Sequence, residues 1–156
     1  MIAKLLLEAT LDTLYMTFVS TFLAFIIGLG LAIILVITNK NGLKPNKAIY
    51  NALDIIVNTL RSFPFIILII VLFPFTKFIV GTSIGTTAAI VPLTIGSAPF
   101  IARLIENAMN EVDHGIIEAA LSYGATKTQI IFKVIFIEAL PSIINAITLT
   151  LIVVIG

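Results

Sequence analysis

Residues 118–141 read EAALSYGATKTQIIFKVIFIEALP, and the interpretation of the whole chain starts from this stretch. Just before it, Asp113 precedes apolar residues at helical spacing and is suited to cap the N-terminus of a helix. Gly124 is expected to end that helix, because glycine adopts a left-handed backbone without a Cβ clash. Thr126 and Gln129 have the spacing of a capping box that opens a second helix. The sequence therefore predicts two helices that meet at a tight corner.

The first of these helices carries small residues beside one acid. Ala119 and Ala120 would let a partner backbone approach closely, and Glu118 would offer a charged acceptor at the edge of that surface. The same pattern also fits an ordinary amphipathic connector between two membrane spans, since capping boxes are common. On spacing alone both interpretations stay open.

The composition indicates a membrane protein. Hydrophobic residues make up 60% of the 156 positions and charged residues 11%, too few to give a soluble globule a polar surface. The nine basic residues are scattered and the formal net charge is +1, which argues against a nucleic-acid surface. The sequence contains no cysteine, so disulfides and thiolate chemistry are excluded. We expect an all-α membrane protein.

The sequence also lacks the motifs of several kinds of catalytic and binding site. No glycine-rich phosphate-binding loop ending in lysine is present, so any dependence on ATP must come from another subunit. No nucleophile stands beside a base. His114 is the only histidine and has no second metal ligand nearby, which favours a surface position. The chain is therefore not expected to be an enzyme, to bind a cofactor or to hold a metal ion.

Apolar stretches predict four membrane spans, because about 20 uncharged residues suffice to cross a bilayer. The predicted spans cover residues 14–37, 55–80, 84–104 and 139–156, and residues 105–137 form a cytoplasmic loop. Residues 1–13 carry charges among leucines and are expected to form a short interfacial helix rather than a cleaved signal peptide. The last span stops within an apolar run without a cap, so the chain is expected to be truncated there.

Basic residues determine the predicted orientation. Residues 40–47 form a turn-rich basic loop, which the positive-inside rule places in the cytoplasm, with the N-terminus outside. Six basic residues then lie inside (Lys40, Lys44, Lys47, Arg103, Lys127, Lys133) and two lie outside (Lys4, Lys77). This asymmetry supports the orientation.

Small residues and helix breakers indicate which faces of the spans are turned inward. A small-residue stripe recurs in the first span at spacings close to four and predicts a packing face: Thr17, Thr21, Ala24, Gly28 and Ala32. The third span contains Pro92, Gly96 and Pro99, which favour either a helix that lines a transport path or a kinked packing helix. Asn145 and Thr148 are expected to point toward other helices rather than lipid.

Asp54 and Arg61 are seven residues apart before the second apolar run, and they are expected to pair along one helix face. Arg61 is otherwise interpreted as an anchor at the cytoplasmic interface, with a functional role at a partner-facing end as the alternative. Further on, Pro74 and residues 76–85 predict a short outer turn.

Residues Glu118-Ala119-Ala120, followed by Gly124 and an amphipathic run, resemble the cytoplasmic EAA loop of ABC-importer permeases. Two further stretches resemble the methionine-importer permeases among them: RSFPFIIL from Arg61, and VGTSIGTTAAIVPLTIGSAPFIAR from Val80. The chain departs from the family pattern in one respect. A Leu-Pro pair expected near residues 136–137 stands four positions later, at 140–141, where it marks the start of the next span.

The resemblance implies a multi-span helical bundle of the small ABC-importer permease type, with a fifth helix that this chain lacks. It implies a homodimer in the lipid of the bacterial inner membrane, with a path for a small-molecule substrate, methionine, between the two copies. Two ATPase subunits would bind below and an extracytoplasmic binding protein above. Residues 105–137 would then be the coupling loop, in which Glu118, Ala119, Ala120 and Gly124 contact the ATPase. The alternatives are a permease for another small solute and a non-transport membrane scaffold.

Overall fold

A computed structural model describes residues 2–155 of the chain. Over this range the chain forms seven helices: α1 (Ile2–Thr38), α2 (Lys47–Ser62), α3 (Phe65–Val80), α4 (Thr86–Asn110), α5 (His114–Ser122), α6 (Lys127–Glu138) and α7 (Leu140–Ile155). The predicted all-α fold is confirmed. Helices α1 and α4 are each long and apolar enough to cross a membrane, and the bent pairs α2–α3 and α6–α7 raise the number of candidate spans to four.

Helices α1 and α4 pack against each other and form the centre of the bundle. The predicted packing stripe of α1 is buried at all five positions, from Thr17 to Ala32, so this prediction is confirmed. The approach is closest at Gly28. A Cβ atom added there would lie 2.9 Å from the carbonyl oxygen of Ala98 and 2.9 Å from Cγ2 of Ile101. Only a glycine allows α1 to come this near to the α4 backbone.

The predicted separate helix over residues 1–13 is wrong in the part that the structure describes. Residues 2–38 form one continuous helix, and Met1 lies outside the described range. The charged N-terminal turns contain no proline, and the hydroxyls of Thr10 and Thr13 donate to the carbonyls of Leu6 and Ala9 within the same helix. Nothing in the local sequence therefore interrupts the helix before the apolar stretch begins.

The predicted span over residues 55–80 is divided into α2 and α3, whose axes differ by 110°. Phe63 takes an extended conformation (φ −73°, ψ 131°), as expected of a residue before proline, and Pro64 has no N–H to continue the hydrogen bonds of α2. Helix α3 then includes Pro74 and continues to Val80. The outer turn is consequently shorter than the predicted residues 76–85.

Helix α4 runs without interruption through Pro92 and Pro99 and ends at Asn110, six residues beyond the predicted boundary at 104. Both prolines are buried, and Gly96 between them is half-buried. The three residues predicted as breakers therefore lie inside a continuous helix that packs against its neighbours.

The last two helices bend by 64° at Ala139. Pro141 stands in the first turn of α7, where a proline is tolerated, so a helix begins at the Leu-Pro pair that was predicted to mark the start of the last span. Helix α6 contains a π-helical segment over Ile130–Ile135, which was not expected from the sequence. Gly156, the end of the predicted last span, lies outside the described residues.

Asn145 and Thr148, which were predicted to point toward other helices, are exposed and do not face other helices within residues 2–155. Helix α7 buries Ile143, Ala146 and Thr150 instead. At 3.6 residues per turn these three share one face, and Asn145 and Thr148 fall on the opposite face.

Candidate functional site

The candidate site has three parts: a corner between α5 and α6, a cluster of charged residues between α2 and α4, and a cavity at the bend between α2 and α3. The first is called the corner segment and comprises α5, the turn at Gly124 and α6.

Gly124 has φ of 80°, the left-handed conformation that its position predicted. Its N–H donates to the carbonyl of Leu121 at 2.9 Å, and the N–H of Ala125 donates to the carbonyl of Ala120 at 3.0 Å. These are the two hydrogen bonds of a Schellman motif, and they satisfy carbonyls that the end of α5 leaves free.

The predicted caps on both sides of the corner are confirmed. The carboxylate of Asp113 accepts a hydrogen bond from the N–H of Gly115 at 2.6 Å at the start of α5. At the start of α6, the N–H of Thr126 donates to Oε1 of Gln129 at 2.8 Å, and the N–H of Gln129 donates to Oγ1 of Thr126 at 3.3 Å. Because all these bonds join residues close in sequence, the corner is determined locally.

One face of α5 packs on the bundle and the other is exposed. Ile117 and Ala120 pack against the core. Glu118, Ala119 and Gly124 are exposed. Three large apolar side chains near the corner are also uncovered, at 42% for Ile116, 47% for Leu121 and 92% for Tyr123. Three of the four residues predicted for contact with a partner are thus exposed on the corner segment, whereas Ala120 packs against the core, and the exposed apolar residues enlarge the exposed surface.

The corner segment lies beside the basic loop that follows α1. Nζ of Lys127 donates to the carbonyl oxygen of Leu43 at 2.7 Å. A cavity of about 250 Å³ lies between the two segments and is lined by Lys40 and His114 among other residues. The structure therefore places the two predicted cytoplasmic segments at the same end of the bundle. His114 is exposed, and residues 2–155 contain no group of three or more side chains suited to bind a metal ion.

The second part is a charge cluster that joins α2 to α4. The guanidinium of Arg103 donates to Oδ1 of Asp54 at 2.5 Å, to Oδ1 of Asn58 at 3.0 Å and to Oε2 of Glu106 at 2.7 Å. The hydroxyl of Tyr50 donates to the other oxygen of Glu106 at 3.2 Å. The side chain of Glu106 is only 2% exposed, so its charge depends on these partners.

The predicted pairing of Asp54 with Arg61 is wrong, because Asp54 belongs to the charge cluster. Seven residues along a helix correspond to a rise of about 10 Å. Arg103 reaches Asp54 from the neighbouring helix instead. This partnership was not predicted, although two spacings pointed to it: Asp54 and Asn58 are four apart on α2, and Arg103 and Glu106 are three apart on α4.

The third part is an elbow cavity of about 500 Å³, bounded by the α2–α3 bend, α4 and α7. Its lining includes Arg61, Phe65, Gly96 and Ser97. Two of the sequence-predicted residues, Arg61 and Gly96, thus come together here. Pro92 lines a separate cavity of about 390 Å³ nearer the outer turn.

The remaining two predicted residues lie apart from the elbow cavity. Pro99 is buried in α4, and Asn145 is exposed on α7. Neither is among the residues that line the cavity.

Comparison with known families gives a match over most of the chain. Residues 24–156 match the family described as the binding-protein-dependent transport system inner membrane component. The D-methionine transport system permease protein MetI of Escherichia coli (strain K12) is 51% identical over 152 residues, which cover 97% of this chain and 70% of that protein. The probable D-methionine transport system permease protein MetI of Vibrio cholerae serotype O1 is 53% identical over 150 residues, covering 96% and 67%.

Two solved structures resemble the fold. A chain of the MetNI methionine ABC transporter, described in inward-facing conformations, superposes with a TM-score of 0.95 at 51% identity and covers 97% of this chain and 70% of its own length. A chain of an amino acid ABC transporter crystallised with histidines superposes with a TM-score of 0.73 at 23% identity, covering 98% and 71%. The second similarity concerns the fold alone.

Proposed function

Because the chain belongs to the family of binding-protein-dependent transport system inner membrane components, we propose that it is the permease subunit of an ATP-driven importer for methionine. The observation that carries the proposal is the exposed corner segment. The chain that contains it is 51% identical to a D-methionine permease over 97% of its length. A scaffold without transport would need the same partner surface. It would not need 51% identity to a D-methionine permease over 97% of the chain.

In this proposal two copies of the chain enclose the transport path in a bacterial inner membrane, surrounded by lipid. An extracytoplasmic binding protein delivers the substrate from the side of the outer turn, between Gly81 and Gly85. Two ATPase subunits dock on the corner segments at the opposite end. ATP is hydrolysed in those subunits, and the permease itself catalyses no reaction.

The corner segment is suited to receive force from a docked ATPase. Glu118, Ala119 and Gly124 form its exposed part, and Tyr123 supplies a large side chain that can be covered on docking. Ala120 packs on the core from the other side of α5. A displacement of α5 would therefore be passed to α6 and, through the bend at Ala139, to α7. Rigid-body motions of this kind open and close transport paths.

The proposal can be tested with the chain, its ATPase subunit and its binding protein produced together. We expect the ATPase to co-purify with the chain and proteoliposomes to take up labelled methionine when ATP and binding protein are supplied. Tyr123→Ala should weaken co-purification, because it removes a large side chain that is 92% exposed at the corner. Ile84→Ala is the matched control, since Ile84 is 83% exposed at the other end of the bundle.

The outcomes separate the alternatives. Failure of the wild-type chain to retain an ATPase would overturn the assignment to an ABC importer. If the ATPase is retained and a different amino acid is taken up but methionine is not, the chain is a permease with a substrate other than methionine. If the Tyr123 and Ile84 variants lose the ATPase equally, the corner segment is not the docking surface.

A further inference from the structure

The elbow cavity combines apolar walls with one cation. Aromatic rings of Phe63, Phe65 and Phe100 contribute to its lining, together with aliphatic side chains from α3, α4 and α7. Its polar side chains are Arg61, Ser97 and Thr150. The hydroxyl of Thr150 already donates to the carbonyl of Ala146 at 2.8 Å. A charged group that enters the cavity would therefore meet Arg61 and Ser97.

Arg61 is exposed and lies beside the middle of α4. It shares the cavity with Gly96, Ser97 and Phe100, which occupy positions near the middle of the 25-residue α4. The bend at Pro64 brings the end of α2 to this level. Because α4 is long and apolar enough to cross a membrane, a cation beside its middle is costly unless it faces water or an anion, and this favours a functional role for Arg61.

The guanidinium of Arg61 has no anionic partner within residues 2–155. The nearest candidate by sequence, Asp54, is held by Arg103 at 2.5 Å. No carboxylate in the described range lies within 4.0 Å of Arg61, and none of its N–H groups donates to a protein acceptor there. Arginine presents paired N–H groups that match the two oxygens of a carboxylate.

We propose that Arg61 binds the α-carboxylate of the transported amino acid in the elbow cavity, and that the apolar wall beside Gly96 accepts its side chain. This inference rests on the proposed function as an amino-acid permease. A cavity of about 500 Å³ is within the range that holds small ligands. A flexible thioether side chain fits walls of this kind, since sulfur makes favourable contacts with aromatic rings.

Gly96 lines the proposed site and packs closely against α3. A Cβ atom added at this position would lie 3.2 Å from a ring carbon of Phe65 and 3.2 Å from Cδ2 of Leu68. An alanine would require these side chains to shift slightly, and a valine would place further methyl groups in the same space. Gly96→Val should therefore exclude methionine from the site more than it excludes alanine, the smaller amino acid.

The test measures binding of labelled methionine to the purified permease–ATPase complex without binding protein, and uptake by the complete system. We expect Arg61→Gln to weaken methionine binding about tenfold or more, because a charge-assisted hydrogen-bonded contact is lost. Arg61→Lys should restore part of the affinity. Lys77→Gln, which removes another exposed cation from the same bent pair of helices, should bind as wild type.

Competition identifies the chemical group that Arg61 binds. Methioninol has the amine and thioether of methionine but no carboxylate. It should therefore compete less well than unlabelled methionine for the wild type, and about as well as methionine for Arg61→Gln. Each variant should still co-purify with the ATPase, which distinguishes loss of this site from failure of the proposed function.

Three results would overturn the inference while leaving the permease assignment intact. One is wild-type methionine affinity and uptake in Arg61→Gln. Another is the absence of any Arg61-dependent methionine binding in a complex that transports methionine. The third is Arg61-dependent retention of anionic phospholipid that methionine does not displace, which would identify the anion as a lipid headgroup.

Discussion

Arg103 of α4 and Asp54 of α2 are 49 residues apart in sequence and joined by a hydrogen-bonded ion pair of 2.5 Å. Arg103 also binds the buried Glu106 one turn further along its own helix. A single guanidinium thus holds the first half of a bent pair of helices against the centre of the bundle. The same contact leaves Arg61, at the end of α2, without its expected partner.

The charge of Arg103 should be required for stability, because it compensates the nearly inaccessible Glu106. We expect Arg103→Met to lower the free energy of unfolding by about 3 kcal/mol, as for other buried pairs from which one partner is removed. Thermal unfolding of the purified protein would measure the loss. Lys4→Met is the control, since its pair with Glu8 spans 3.9 Å between largely exposed side chains and should contribute less than about 1 kcal/mol.

A second substitution distinguishes electrostatics from packing in the charge cluster. Combining Arg103→Met with Glu106→Gln removes the uncompensated charge, so the double variant should be more stable than Arg103→Met alone. If the single and the double variant unfold at the same temperature, Arg103 does not stabilise the protein by compensating the charge of the Glu106 carboxylate.

The close approach of α1 and α4 predicts different effects for two nearby glycines. Gly28→Ala places a Cβ atom 2.9 Å from the carbonyl oxygen of Ala98, and we expect it to lower stability by about 1–3 kcal/mol. Gly30→Ala meets no atom within 4 Å and should be neutral or stabilising by up to about 1 kcal/mol, since alanine is the better helix former. Thermal unfolding of the two variants checks this, and equal stability would contradict the inferred helix contact.

Features of the chain that depend on neighbours in sequence could be predicted from it. The Asp113 cap, the left-handed Gly124 and the Thr126–Gln129 box each involve residues within a few positions of one another. The buried stripe of α1 was also predicted correctly, because small residues at a spacing near four have few other uses in a membrane helix. These features required no knowledge of how the helices are arranged.

Features that depend on helix arrangement could not be predicted in the same way. Pro64 indicates an interruption between α2 and α3, but proline alone does not specify the 110° angle, and that angle decides which residues of α2 face α4. The partner of Asp54 and the position of Arg61 beside the middle of α4 both follow from it. Asn145 was assigned inward because of its polarity, whereas the face of α7 that packs is set by Ile143, Ala146 and Thr150.

The orientation in the membrane gives a further prediction. Asn41 lies in the basic loop beside the corner segment, and Thr82 lies in the outer turn; both are exposed. With residues 40–47 in the cytoplasm, a cysteine at position 82 should react with a membrane-impermeant thiol reagent in intact cells, and one at position 41 only after permeabilisation. The cysteine-free wild type is the control. Reaction of both cysteines from the same side would contradict the orientation.

Substitutions of Gly124 test whether ATPase docking depends on the backbone conformation of the corner or on side-chain contact there. Gly124 has φ of 80°, and a Cβ atom there would meet nothing within 4 Å, so a substitution acts through the backbone. Gly124→Val should cost about 1–2 kcal/mol in the left-handed conformation and open the corner. Because the spans pack elsewhere, membrane insertion should be retained while ATPase co-purification and uptake fall.

Gly124→Asn is the matched variant, since asparagine tolerates a left-handed backbone better than other residues with a side chain. It should retain most ATPase docking although it adds a larger group than alanine would. Glu118→Ala should weaken docking less than Gly124→Val does, because it removes one charged acceptor from the surface and leaves the Schellman hydrogen bonds intact. If valine and asparagine at position 124 impaired docking equally, side-chain bulk against the partner, and not the angle between α5 and α6, would be the property that docking requires.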